Sequence, residues 1–216
     1  MEHVTLTPGS MAGETARKLL LGGVVPRPIA WTSTLGPEGV ANLAPFSYFT
    51  VVSTDPPMLS LTIEARDDGA AKDTASNIGS TGEFVVNIVP EALGEAMRAT
   101  SADLPPEDDE FAVAETAAAP ARHVSPPRVA ESPLAMECVL ERSLPLGNAL
   151  LVIGRVVCFH VRPDVLDGRG RVMHDRLRAL GRVGGDYLGT ADTYPLPRDG
   201  GRPGGRMPVP TSLRPR

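Results

Sequence analysis

The sequence predicts a mainly β fold, a β-barrel with a few peripheral helices. Three observations carry that expectation. Short apolar runs, several with period-two alternation, recur along the chain between turn residues. The 22 glycines and 22 prolines among 216 residues supply many turns and short strands. The repeating strand–helix–strand spacing of a parallel sheet is missing. This length is long for one small domain and short for two, so one domain with a loose end is the simplest count.

Residues 1–14 read as an N-terminal lead-in, with Ser10 capping a short helix that runs to about residue 21. Glu14 lies near the positive helix end, and Gly22-Gly23 ends the helix. Pro26 and Pro28 then hold the chain extended. Residues 29–34 form a strand, 36–39 a turn and 40–43 the returning arm of a hairpin. Further strands are expected at 49–53 and 58–64, the latter with Leu59, Leu61 and Ile63 on one face and Ser60 and Thr62 on the other. A short helix spans 70–79, broken by Thr81-Gly82, and a strand follows at 83–89. Pro90 opens another helix to about residue 99.

Residues 101–133, rich in Ala, Pro and acidic side chains, form a long surface excursion that Phe111 and Val113 pin to the body. The run Glu107-Asp108-Asp109-Glu110 reads as a solvated loop. Strands are expected at 134–140 and 149–161, joined by a turn at 145–148, the second long enough to bend. The folded domain thus spans 15–194, and 195–216 is a Pro/Gly/Arg tail whose composition predicts disorder.

Net charge is −5 and no basic stripe appears, which argues against a nucleic-acid partner. Cys138 and Cys158 lack a CxxC pattern and read as buried reduced thiols. There is no signal-peptide pattern and no apolar stretch of the roughly 18 residues that a membrane helix needs. A cytoplasmic protein with no membrane contact is expected.

The stretch Asn42-Leu-Ala-Pro-Phe-Ser-Tyr-Phe49 organises the functional reading. Pro45 should break the sheet pairing and leave neighbouring amides for another partner. Ala44 and Ser47 allow close approach, while Phe46, Tyr48 and Phe49 offer flat apolar walls. Such a mixture suits a planar ligand with polar edges, such as a flavin ring. On composition alone, a strand corner with a few core aromatics is the simpler account. Lys72, Thr74 and Asn77 near a helix start could hold a phosphate or could merely cap the helix, and Asp73 works against an anion there.

Other chemistries find less support. No GxGxxG follows a strand, and neither a P-loop nor a GxSxG elbow is present. His3, His123, His160 and His174 have no metal-like spacing to one another or to the cysteines, so no metal is expected.

An ordered set of motifs resembles the flavin reductase-like family, an FMN-binding group that includes flavoprotein oxygenases and flavoredoxins. It comprises 26–34 (Pro-Arg-Pro-Ile-Ala-Trp-Thr-Ser-Thr), Gly39, 42–49, Ser53 with Asp55-Pro56-Pro57, Lys72-Asp73-Thr74 with Asn77, and 83–87. Asp109-Glu110-Phe111, Glu131-Ser132-Pro133, 154–160 and 182–187 extend it, so that about residues 15–195 are covered.

The resemblance implies a Greek-key split β-barrel, a homodimer and FMN near the subunit interface. It implies that Ser33, Thr34, Asn42, Ala44, Pro45, Phe46 and Ser47 line the flavin ring. Lys72, Thr74 and Asn77 would hold the phosphate, and Arg182 and Tyr187 would close over the site. His160 would stand on the nicotinamide side as the one catalytic candidate. Trp31 reads as core or ring wall, and Arg27 as a site residue or part of a dimer surface. The implied reaction is hydride transfer from NADH or NADPH to flavin N5, which needs alignment more than an acid–base pair. A partner monooxygenase could use the reduced flavin. An FMN-binding electron carrier and a flavoenzyme acting on an organic substrate are the alternatives.

Overall fold

The computed structural model describes residues 1–194 apart from 103, 106 and 192. The tail expected over 195–216 lies outside the described residues. The elements in order are α1 (Gly13–Gly23), β1 (Arg27–Pro28), β2 (Ala30–Leu35), β3 (Ala41–Phe46), β4 (Phe49–Thr54) and β5 (Pro57–Glu64). Then come α2 (Asp73–Thr81), β6 (Glu83–Ile88), α3 (Gly94–Ala99), α4 (Glu110–Val113), β7 (Ala118–Ala119) and β8 (Arg128–Val129). The chain closes with β9 (Leu134–Leu146), β10 (Ala149–Val161), α5 (His174–Leu177), β11 (Leu180–Val183) and β12 (Asp186–Gly189).

Seven strands form one antiparallel sheet in the order β3-β2-β6-β9-β10-β5-β4. The sheet curls until β3 touches β5. Its inner face encloses Ala30, Phe46, Leu59, Leu61, Ile63, Phe84, Val86, Cys138 and Val152, with Ala75 and Ile78 of α2 as the plug. The alternation expected in 58–64 is present: Leu59, Leu61 and Ile63 are buried, and Ser60 and Thr62 are half-buried. Each large aliphatic side chain buried in this way contributes about 1.5–3 kcal/mol. Gly154 on β10 exists because Phe84 fills the space beside it; an added Cβ would meet the Phe84 ring at 2.3 Å. The long strand β10 bends as expected, with register shifts at Ile153/Gly154 and Val156/Cys158.

The outer face of β2 and β6 is also covered. Trp31, Leu43, Met97, Phe111 and Val129 form a second core there, beneath α3 and α4. Trp31 is therefore core, and its indole N–H donates to the Thr100 hydroxyl at 2.9 Å. A smaller cluster of Val85, Val124 and Ala135 continues this layer. The 101–133 excursion is thus a packed cover, pinned by Phe111 as expected, whereas Val113 is exposed.

Several local expectations need correction. Pairing does not break at Pro45, which sits opposite Trp31 in β3. That strand is the sheet edge, where a residue lacking N–H costs no ladder bond on its open side. Ser10 does not cap α1; Ala12 precedes the helix, and Gly22 and Gly23 lie within it. The helix expected from Pro90 is a 3-10 turn, Glu91–Leu93, followed by α3. Pro145 and Leu146 belong to β9, and the β9–β10 turn is only Gly147-Asn148, with Gly147 at φ +59°. The acidic run is not wholly solvated, since Glu110 is 6% exposed. Finally, β11 and β12 form a hairpin that pairs with β1 as a separate three-stranded sheet. No helix among the described residues is long and apolar enough to cross a membrane.

Candidate functional site

A buried polar cluster lies where β2, β3 and α2 meet. The hairpin register sets Thr34 opposite Asn42, and α2 adds Thr74 and Asn77 from its first turns. The Thr34 hydroxyl donates to Asn42 Oδ1 at 3.0 Å, and the Thr74 hydroxyl donates to the same oxygen at 2.8 Å. Asn77 Nδ2 donates to Thr34 Oγ1 at 3.0 Å. Asn42 Nδ2 donates to Glu110 at 2.5 Å, and the Leu43 amide donates to the same carboxylate oxygen. Glu110 thus takes the edge amide that the Pro45 reading left for another partner. Burial pushes the Glu110 carboxyl up to about 7; the Leu43 amide pulls it down, and Asp73 pushes it further up. Thr34, Asn42, Thr74 and Asn77 are brought together in a self-satisfied network that fixes α2 on the hairpin.

Above this network a small chamber of about 60 Å³ is lined by Ala44, Pro45, Phe46, Arg66, Lys72 and Thr74, among others. Lys72 stands at the start of α2, where backbone amides point outward. Arg66 donates from Nη2 to Asp73 at 2.6 Å, while its Nε is buried and lacks a partner among the described residues. A buried guanidinium nitrogen in this state calls for an acceptor. Sequence reasoning missed both Arg66 and Glu110. Arg66 sits in a turn with no local pattern, and Glu110 was masked by its acidic neighbours. Its signals were the Asp109-Glu110-Phe111 motif, to which no role was attached, and Phe111 as an apolar residue in a charged run.

The chamber adjoins a cleft of about 540 Å³, within the range of small-molecule sites. Pro45, Phe46, Tyr48 and Ile29 form its apolar wall. Arg17, Lys18, Arg27, Lys72 and Arg182 surround it against one carboxylate among the described residues, Glu64, so their field favours an anion. Arg27 is 7% exposed, lines the cleft and donates from Nη1 to the Leu21 and Val24 carbonyls at 2.6 and 3.2 Å. Its charge therefore holds the C-terminal end of α1 beside the cleft. Arg27 Nε donates to Ser47 Oγ at 3.4 Å. Across the cleft, the Arg182 guanidinium lies 4.4 Å from the centre of the Tyr187 ring, and β11 sets Arg182 opposite Arg27.

Two predicted residues stand elsewhere. Ser33 points to the outer face, where its hydroxyl donates to the Pro127 carbonyl at 2.5 Å. His160, on β10, does not line the cleft; its Nε2 lies 2.5 Å from Glu137 Oε1 beneath the 121–124 loop.

The Flavin reductase like domain model matches residues 21–180. Nitrilotriacetate monooxygenase component B from Bacillus cereus is 35% identical, with a TM-score of 0.87 over 91% of this chain and all of that one. The 2-nitrobenzoate 2-nitroreductase of Pseudomonas fluorescens is 28% identical, with a TM-score of 0.80 over 98% of this chain and 99% of that one. A flavin reductase (NADH) of Kitasatospora aureofaciens is 32% identical over 74% of this chain and 78% of its own length. The curled sheet is accordingly the split barrel of these neighbours, and the chain belongs to the flavin reductase like domain family.

Proposed function

We propose that the cleft binds FMN and that the protein is an NAD(P)H-dependent flavin reductase. The observation that carries this reading is the buried Nε of Arg66, without a partner among the described residues, in a chamber that it shares with Lys72 at the start of α2 and with the carboxylates of Asp73 and Glu110. A phosphate there would give Arg66 an acceptor and meet the open amides of the helix. The ring would lie along Ala44, Pro45, Phe46 and Ser47, the wall that joins the chamber to the wider cleft. Thr34 and Asn77 act behind this surface, while Asn42 and Thr74 also line the chamber; together they hold the α2 start against β3.

FMN held along this wall would supply the hydride chemistry, between NADH or NADPH and a second acceptor, that no side chain here provides. Arg27 and Arg182 would supply positive charge beside the site, and Tyr187 would close its rim under the guanidinium. The openness required for a nicotinamide to enter and leave is provided by the wider cleft. The named relatives point to a monooxygenase as the user of the reduced flavin, since one similar protein is a monooxygenase component B. An apolar hollow between α1 and β4, lined by Leu20, Leu21, Val24 and Phe49, with Val51 exposed nearby, supports assembly as a homodimer. The two unpaired cysteines fit a reducing, cytoplasmic setting.

The test is absorbance and NAD(P)H oxidation. Purified protein incubated with FMN and freed of excess should keep a flavin spectrum, bleach with NADH or NADPH without oxygen, and turn over with added free FMN. Failure to bind FMN at excess would overturn the reading. A second reading is favoured by the 2-nitrobenzoate nitroreductase relative: reduction of an organic substrate on the same flavin. Retained FMN that turns over only with a nitroaromatic acceptor would select it.

A further inference from the structure

We propose that Glu137, Cys158 and His160 form a zinc site on the outer face of the barrel, separate from the cleft. Cys158 and His160 are two apart on β10, so both side chains leave the same face of the sheet. The register shift between Val156 and Cys158 brings Glu137 of β9 opposite Cys158. The ligand atoms of all three residues lie within 4.8 Å of one another. No spacing along the chain reveals this set, because one ligand comes from the neighbouring strand.

The donor chemistry selects the ion. One thiolate, one imidazole and one carboxylate suit zinc, with a fourth position open to water. Two ligands at ordinary zinc–nitrogen and zinc–sulfur lengths in a tetrahedron are about 3.6 Å apart. Cys158 Sγ and His160 Nε2 are 3.8 Å apart. The His160–Glu137 separation of 2.5 Å is shorter than a shared ion permits, so the imidazole must swing outward on binding. It is free to do so, since its side chain is 26% exposed, whereas Glu137 is fully buried. Glu137 is held in place: one oxygen accepts from the Arg122 amide at 2.7 Å, the other from the His123 amide at 2.6 Å. Those amides orient the carboxylate as outer-shell partners do in known metal sites. An ion here would tie β9, β10 and the 121–124 loop together.

The experiment is a titration of the full-length protein with Co²⁺, followed by Zn²⁺ competition against a chromophoric chelator. One equivalent of Co²⁺ should give the intense visible bands of a tetrahedral thiolate site, at longer wavelength than flavin absorbs, and Zn²⁺ should displace it. Cys158→Ser should abolish the bands and weaken Zn²⁺ binding by at least the roughly 10- to 100-fold that an outer-shell partner alone is worth. His160→Gln should do the same, which keeps the test decisive if one variant folds poorly. FMN binding should be unchanged in both. Absence of the bands in the wild type, or bands that persist in Cys158→Ser, would overturn the site. His160 and Glu137 would then be a hydrogen-bonded pair and nothing more.

Discussion

Glu110→Gln should remove a pH dependence of stability that the wild-type protein carries. The Glu110 carboxyl sits at about 7 in the folded protein against an ordinary value of 4.5. The folded state therefore holds the proton more tightly than the unfolded chain. Between those two values the folded state binds more protons, so this group's contribution to stability is present below about pH 4.5. It is lost as the pH rises through about 7 and is flat above that. A raised carboxyl of this size corresponds to about 3 kcal/mol. Glutamine is neutral throughout and can still accept from the Leu43 and Asn42 donors. Urea unfolding of both proteins at pH 4.5, 6, 7 and 8 reads the effect. The variant should match the wild type near pH 4.5 and be more stable by about 3 kcal/mol at pH 8. Stability curves that run parallel over this range, or a wild type that gains on the variant as pH rises, would refute the buried-carboxylate account.

Three further outcomes are expected. Lys72→Ala should raise the Kd for FMN about 10- to 100-fold by flavin fluorescence titration, the worth of one charged hydrogen bond. Thr74→Ala, which deprives Asn42 of a buried donor, should instead lower stability by about 1–2 kcal/mol in urea; a larger loss of stability from Lys72→Ala than from Thr74→Ala would reverse these roles. Gly154→Ala forces a methyl group into Phe84 and should cost about 1–3 kcal/mol, while Gly36→Ala, whose nearest neighbour is 3.6 Å away, should be near neutral. Equal melting temperatures for these two variants would contradict the packing at Gly154. Burial alone would raise the Glu137 carboxyl, but the His160 imidazole and the Arg122 and His123 amides outweigh it and hold the group below its ordinary 4.5. Its contribution is thus present above that value and lost as the pH falls. His160→Ala should move acid unfolding to higher pH by circular dichroism, and coincident acid curves would show that the pair contributes nothing.

Much of the architecture was legible because it is written in local chemistry. Alternation in 58–64, the Gly-rich turn before residue 40 and the Gly82 stop each act within a few residues, and each appears in the structure. The grouping of Thr34 with Asn42 follows from hairpin register, which a short turn determines. Ser33 and Pro45 show where such reasoning stops. A residue's face and its place at the edge or centre of a sheet depend on strands distant in sequence. Pro45 keeps its pairing because β3 has no hydrogen-bonded strand on its far side.

By itself, then, the sequence determined the class of fold and the main strands, and it singled out a stretch, 42–49, that lines part of the cleft. Tertiary structure alone decided which charges meet. Glu110 reaches Asn42 across 68 residues, Arg66 stands in the chamber with Lys72, and His160 faces Glu137 away from the cleft. The physical reason is the range of the forces involved. Backbone preference and periodicity act between near neighbours, whereas burial, and the carboxyl shift that follows from it, exists only once distant segments have closed over a group.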